Sequence, residues 1–127
     1  MKPVTAMTIL AALGLLLPMP WSAIAGEADV TAVAVKRLAE GIWRFEVTVA
    51  HDDEGWDHYA DRWEVLSPDG SVLGTRILHH PHENEQPFTR RLSGVPIPPE
   101  VESVTIRAHD SIHGFGGREE EIIILRP

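Results

Sequence analysis

"IWRFEVTVAH", residues 42–51, is the stretch that decides the fold. Trp43, Phe45, Val47 and Val49 are apolar, and Arg44, Glu46 and Thr48 stand between them. Side chains of a strand alternate between its two faces, so this period of two describes a strand with one face in a core and one in water. Half-buried alternation of this kind belongs to antiparallel sheets. The same signal recurs on both sides. "VTAVAVKRL" (30–38) predicts a preceding strand, joined by the turn "AEG". "YADRWEVL" (59–66) predicts a third, with Tyr59, Trp63 and Val65 on one face. It stops at "SPDGS" (67–71), where Pro presets φ, Asp accepts local hydrogen bonds and Gly takes a positive φ. "VLGTRILH" (72–79), "FTRRLSGV" (88–95), "VESVTIRAHD" (101–110, with Val104, Ile106 and Ala108 sharing a face) and "REEEIIILR" (118–126) complete a set of seven. The loops between them are "HPHENEQP", the proline-rich corner "PIPPE" and the glycine-rich "SIHGFGG". No stretch carries helical periodicity, and short strands at roughly ten-residue spacing predict an all-β antiparallel sandwich.

The chain has 127 residues. Met1-Lys2 is a short positive start, residues 6–17 are an apolar run, and "AIA" (23–25) is a small-x-small cleavage site. That is the pattern of a secretory signal peptide, residues 1–25, cut after Ala25. The apolar run is shorter than the roughly 20 residues a membrane span needs. The expected mature domain is residues 26–127, without a membrane span, exported to a periplasm or secreted. The chain contains no cysteine, which excludes disulfides, thiolate metal sites, cysteine nucleophiles and an anchor on an N-terminal cysteine. Removing the leader removes Lys2 and no acid, so the formal net charge of −8 becomes −9. Such a balance disfavours nucleic acid and anionic membrane surfaces and favours cations and basic proteins.

The run of strands resembles a fibronectin type III or immunoglobulin-like domain. "DRWEVLSPDG" is similar to the third strand and following turn of that fold, and "LSGVPIPPEVESVTIRAHD" to its corner between the fifth and sixth strands. The likeness spans most of residues 26–127. It departs at the corner, where Val101 stands in place of the tyrosine, and in lacking paired cysteines. It implies a seven-stranded antiparallel β-sandwich and no activity.

In that topology successive loops alternate between the two ends of the sandwich. All seven histidines then fall at one end: His51 and His58 in the second loop, His79, His80 and His82 in the fourth, His109 and His113 at the sixth. Asp53, Asp61 and Asp110 accompany them. Imidazole and carboxylate suit copper(II), zinc and similar ions. The candidate metal ligands are therefore His51, His58, His80, His82, His109 and His113, with Asp53, Asp61 and Asp110 as ligands or orienters. No spacing matches a known ligand motif, and His51 with Asp61 or Asp110 also reads as a purely structural buried pair.

A second reading makes the same end an adhesion or assembly surface for a basic protein partner, with Trp56, Tyr59 and Phe115 as anchors. A third, a small metal-dependent hydrolase using Glu85 or Asp57 as base, has least support. Ser111 lies between Asp110 and His113, but a serine triad also needs a cleft and an oxyanion hole, and nothing in the sequence supplies them. "HGFGG" (113–117) opens no helix and reads as a hairpin loop rather than a phosphate cradle.

Overall fold

The alternation of residues 42–51 becomes the second of seven strands. A computed structural model describes residues 26–127; the leader reading of residues 1–25 lies outside them. The strands are β1 (Asp29–Ala39), β2 (Ile42–Ala50), β3 (Ala60–Leu66), β4 (Val72–Ile77), β5 (Phe88–Pro96), β6 (Ser103–Asp110) and β7 (Glu120–Ile123). One sheet has the order β1-β2-β5 and the other β4-β3-β6-β7, with antiparallel neighbours throughout. This is an immunoglobulin/fibronectin-III-like β-sandwich. Among the described residues no helix is long and apolar enough to cross a membrane.

The core is what period two requires. Trp43, Phe45, Val47 and Val49 of β2 are buried, as are Trp63 and Val65 of β3, Phe88 and Val95 of β5, and Val104, Ile106 and Ala108 of β6. Each large apolar side chain taken out of water stabilises the fold by about 1.5–3 kcal/mol. The outer face of β3 and β6 is held by charge: Arg107 donates to Glu64 Oε1 from Nε at 3.1 Å and Nη2 at 2.9 Å, and Arg62 Nε donates to Glu64 Oε2 at 3.1 Å.

β4, β6 and β7 are each at least two residues shorter than their sequence patterns. β4 ends at Ile77, although Leu78, buried in the core, still donates its N–H to Asp61 C=O of β3 at 2.9 Å. β7 starts only at Glu120, because residue 118 is claimed by the first strand: Arg118 N–H donates to Asp29 Oδ1 at 2.7 Å, and Val30 N–H to Arg118 C=O at 2.8 Å. At the corner that lacks its tyrosine, Arg126 secures the backbone, donating to Val101 C=O at 2.8 Å and Pro98 C=O at 2.9 Å.

The "SPDGS" turn lies at the end opposite the histidines. Asp69 Oδ1 accepts from Ser67 Oγ, from Ser71 Oγ at 2.8 Å and from Ser71 N–H at 2.9 Å. The Ser67 hydroxyl first, then the Ser71 amide, draw the Asp69 carboxyl down to about 2. A carboxyl depressed by folding stabilises above its unfolded value and loses that contribution as pH falls toward its folded value. Asp69→Ala should therefore lower the thermal midpoint slightly at pH 7, and the gap to the parent should close as pH falls from about 4 toward 2. A gap independent of pH would show that the turn does not use the ionised carboxylate.

Candidate metal centre

Strand register builds the site. Phe45, Val47 and Val49 point inward on β2, so His51, in the same register just past the strand, also points inward and is buried. Ile106 and Ala108 do the same on β6, so Asp110 ends that strand as a fully buried carboxylate. His58 comes from the β2–β3 loop. Among the described residues, His51, His58 and Asp110 form a group whose ligand atoms all lie within 4.8 Å of one another.

The ring orientations are specific. His51 places Nδ1 on Asp53 Oδ1 and Nε2 on Asp110 Oδ2, with all three side chains fully shielded from solvent. His58 places Nδ1 on Glu54 Oε1 at 2.8 Å and Nε2 on the same Asp110 Oδ2 at 2.7 Å. The Gly26 carbonyl oxygen lies 3.2 Å from both Nε2 atoms. Each imidazole therefore has a carboxylate behind Nδ1, and both Nε2 atoms face one point. A carboxylate on the far nitrogen fixes the tautomer of a metal-bound histidine and raises its basicity. A tetrahedral ion with bonds near 2.1 Å needs donors about 3.4 Å apart; Asp110 Oδ2 now lies closer than that to both Nε2 atoms, so the set would open around an ion by side-chain shifts on the order of an ångström.

Buried carboxylates require partners, and these have them. Asp53 also accepts from Ala60 N–H at 3.1 Å and His82 N–H at 2.6 Å, joining the β2–β3 and β4–β5 loops. Gln86 reinforces that junction, accepting from His51 N–H and donating to His82 C=O, each at 2.9 Å. Asp110 Oδ1 accepts from Ile112 N–H and His113 N–H at 2.6 Å, and His113 Nδ1 lies 3.2 Å away. Burial pushes the Asp110 carboxyl up, but the His113 and Ile112 amides and His51 together outweigh it and hold the carboxyl below its ordinary range. The Glu54 carboxylate, opposed by burial and aided by the Gly26 carbonyl and Asp110, holds His58 above the usual imidazole range. A protonated His58 thus stabilises the metal-free fold below about pH 6.5, and that contribution is lost as pH rises through the raised value. An ion would take the place of that proton.

The other candidates lie around this centre. His113 stands beside it, its ring 5.0 Å from that of His58. His109 and Asp61 pair with each other at 2.6 Å on the outer face, where the His109 ring meets Phe115. His80 is exposed, and its Nδ1 lies 3.1 Å from its neighbour's Pro81 C=O. His82 is buried with its ring stacked on Phe88 at 4.0 Å, and neither of its ring nitrogens has a hydrogen-bond partner. Sequence reading missed Glu54, Gln86 and the Gly26 carbonyl.

Burial, then the nearby Arg90 charge, lowers the His82 pKa. A histidine depressed by folding stabilises above its unfolded value near 6.5 and destabilises as pH falls below it, because the unfolded chain then binds more protons. His82→Phe keeps the stack and removes two unpaired polar atoms. It should stabilise the fold by about 1 kcal/mol at pH 7 and by more at pH 5.5. A destabilised variant with the same acid profile would contradict this account of His82.

No protein-family model matches the chain, and no solved structure matches it significantly. Over 92 residues it is 40% identical to a protein of Halomicrobium mukohataei named "Putative lipoprotein". The match covers 72% of this chain and 45% of the relative, so the chain spans less than half the length of the curated relative it matches.

Proposed function

We propose that this protein is an exported β-sandwich that binds a divalent metal ion, copper or zinc, through His51, His58 and Asp110. One observation carries the reading: two imidazoles, each backed at Nδ1 by a carboxylate, direct Nε2 at one buried carboxylate oxygen. Asp53 and Glu54 act as orienters, and His113 stands close enough to join on loading. The His109–Asp61 pair and His82 serve packing and the outer surface. The sequence pattern of residues 1–25 and the lipoprotein name of the Halomicrobium relative support export.

Calorimetric titration with Zn(II) or Cu(II) at pH 7.5 should detect a single saturable site that His58→Ala removes and His109→Ala leaves intact. Loss of binding in His109→Ala with His58→Ala unaffected would overturn the assignment. The partner reading retains one favourable observation. Trp56 is 66% exposed among Asp52, Glu54 and Asp57, as a docking loop for a basic protein would be. Binding of neither ion by the folded parent would leave that reading ahead.

A further inference from the structure

We infer that the α-amino group of Gly26, freed by cleavage after Ala25, is a ligand of the same ion, so that the site is completed only when the leader is removed. This rests on the metal reading above. Two independent observations meet at Gly26. In the sequence, "AIA" ends at Ala25, which makes Gly26 the first residue of the processed chain. In the structure, the Gly26 carbonyl oxygen lies 3.2 Å from both His51 Nε2 and His58 Nε2. The Gly26 nitrogen is three bonds from that oxygen, which holds the two atoms within about 4.2 Å of each other.

The backbone at Gly26 is packed on the cluster rather than passing it at a distance. A Cβ built there would stand 2.8 Å from His113 Cε1 and 3.2 Å from His113 Nε2, so a side chain at this position would have to displace the His113 ring. In the unprocessed chain the Gly26 nitrogen belongs to a peptide bond, and its lone pair is delocalised into the carbonyl. While it keeps its proton, that nitrogen has no free lone pair for a metal, and it would have to lose the proton to bind one. Cleavage turns the same atom into an amine with a free lone pair. Amine nitrogen and carbonyl oxygen of one residue then form a five-membered chelate beside two imidazoles. A nitrogen-rich donor set of this kind favours Cu(II) among the divalent ions. Metal loading would therefore follow export and processing rather than precede them.

The test uses the full chain, exported and purified without an affinity tag, with Cu(II) as the probe. Intact mass should place the N-terminus at Gly26. Half of the protein is then Nα-acetylated, and the metal-free thermal midpoint of each half is measured to establish equal folding. Cu(II) affinity is determined by competition with a chelator, and the Cu(II) spectrum by electron paramagnetic resonance. Acetylation should weaken binding by about tenfold or more, equivalent to 1.4 kcal/mol or more, and shift the spectrum toward fewer nitrogen donors. Equal affinity and an unchanged spectrum would overturn the amine ligand and leave the His51–His58–Asp110 reading standing. So would a processed chain that does not begin at Gly26. Failure of both halves to bind Cu(II) would overturn the metal reading and this inference with it.

Discussion

Asp53→Ala should lower the thermal midpoint of the metal-free protein by about 15 °C or more. The carboxylate is fully shielded and accepts from His51 Nδ1, Ala60 N–H and His82 N–H. Its removal leaves three buried donors without an acceptor and the Asp110–His51 pair without its counterpart. Each buried donor left without an acceptor costs about 1–3 kcal/mol, and a domain of this size loses roughly 4–8 °C per kcal/mol. Asp53→Asn, which keeps an acceptor oxygen, should fall between the parent and Asp53→Ala. A drop below about 5 °C for Asp53→Ala would mean that Asp53 does not join the β2–β3 and β4–β5 loops in solution.

Saturation with Cu(II) or Zn(II) should raise the midpoint by about 10 °C or more. Only the folded chain brings the three ligands together, because Asp110 at the end of β6 is far in sequence from His51 and His58, which share the β2–β3 loop. A ligand at about 100 times its dissociation constant that binds only the folded state adds roughly 2.7 kcal/mol. The rise should shrink as pH falls below about 6.5, where protons compete for the imidazoles. His58→Ala should abolish the metal-induced rise. Since His58 is part-exposed and Asp53 is not, His58→Ala should also cost less metal-free stability than Asp53→Ala. Substitution of Glu100, beside the opposite-end corner, should leave the rise unchanged. A rise that survives His58→Ala would place the ion elsewhere.

Much of this was legible in residue order. Alternation in residues 42–51 and 101–110 identifies β2 and β6. The same alternation, carried to the strand ends, sends His51 and Asp110 inward; it also sends His109, one residue out of register with Asp110, outward, although sequence reading counts His109 among the candidate ligands. The alternation of loops between ends is what brings His51, His58 and Asp110 into one neighbourhood. Other features carry no side-chain signature. Gly26 contributes a backbone carbonyl, and only the cleavage site drew attention to it. Gln86 is an ordinary loop amide until its two hydrogen bonds are seen. The acids of "HDDEGWDHYAD" look equivalent in sequence, yet Asp53 is buried and Asp52 and Asp57 are exposed. Which of them faces inward depends on loop geometry that no period sets. His82 is hidden by its stack on Phe88, a contact between a loop and a strand that local pattern does not encode.

If His51, His58 and Asp110 hold a metal ion, that ion should accompany the exported protein. Elemental analysis of the full chain, exported and purified without tags or chelators, tests it most directly. The parent should carry a stoichiometric amount of copper or zinc, and His58→Ala should lose that metal. Parent protein that is folded, free of both metals and unable to take up either at pH 7.5 would contradict it.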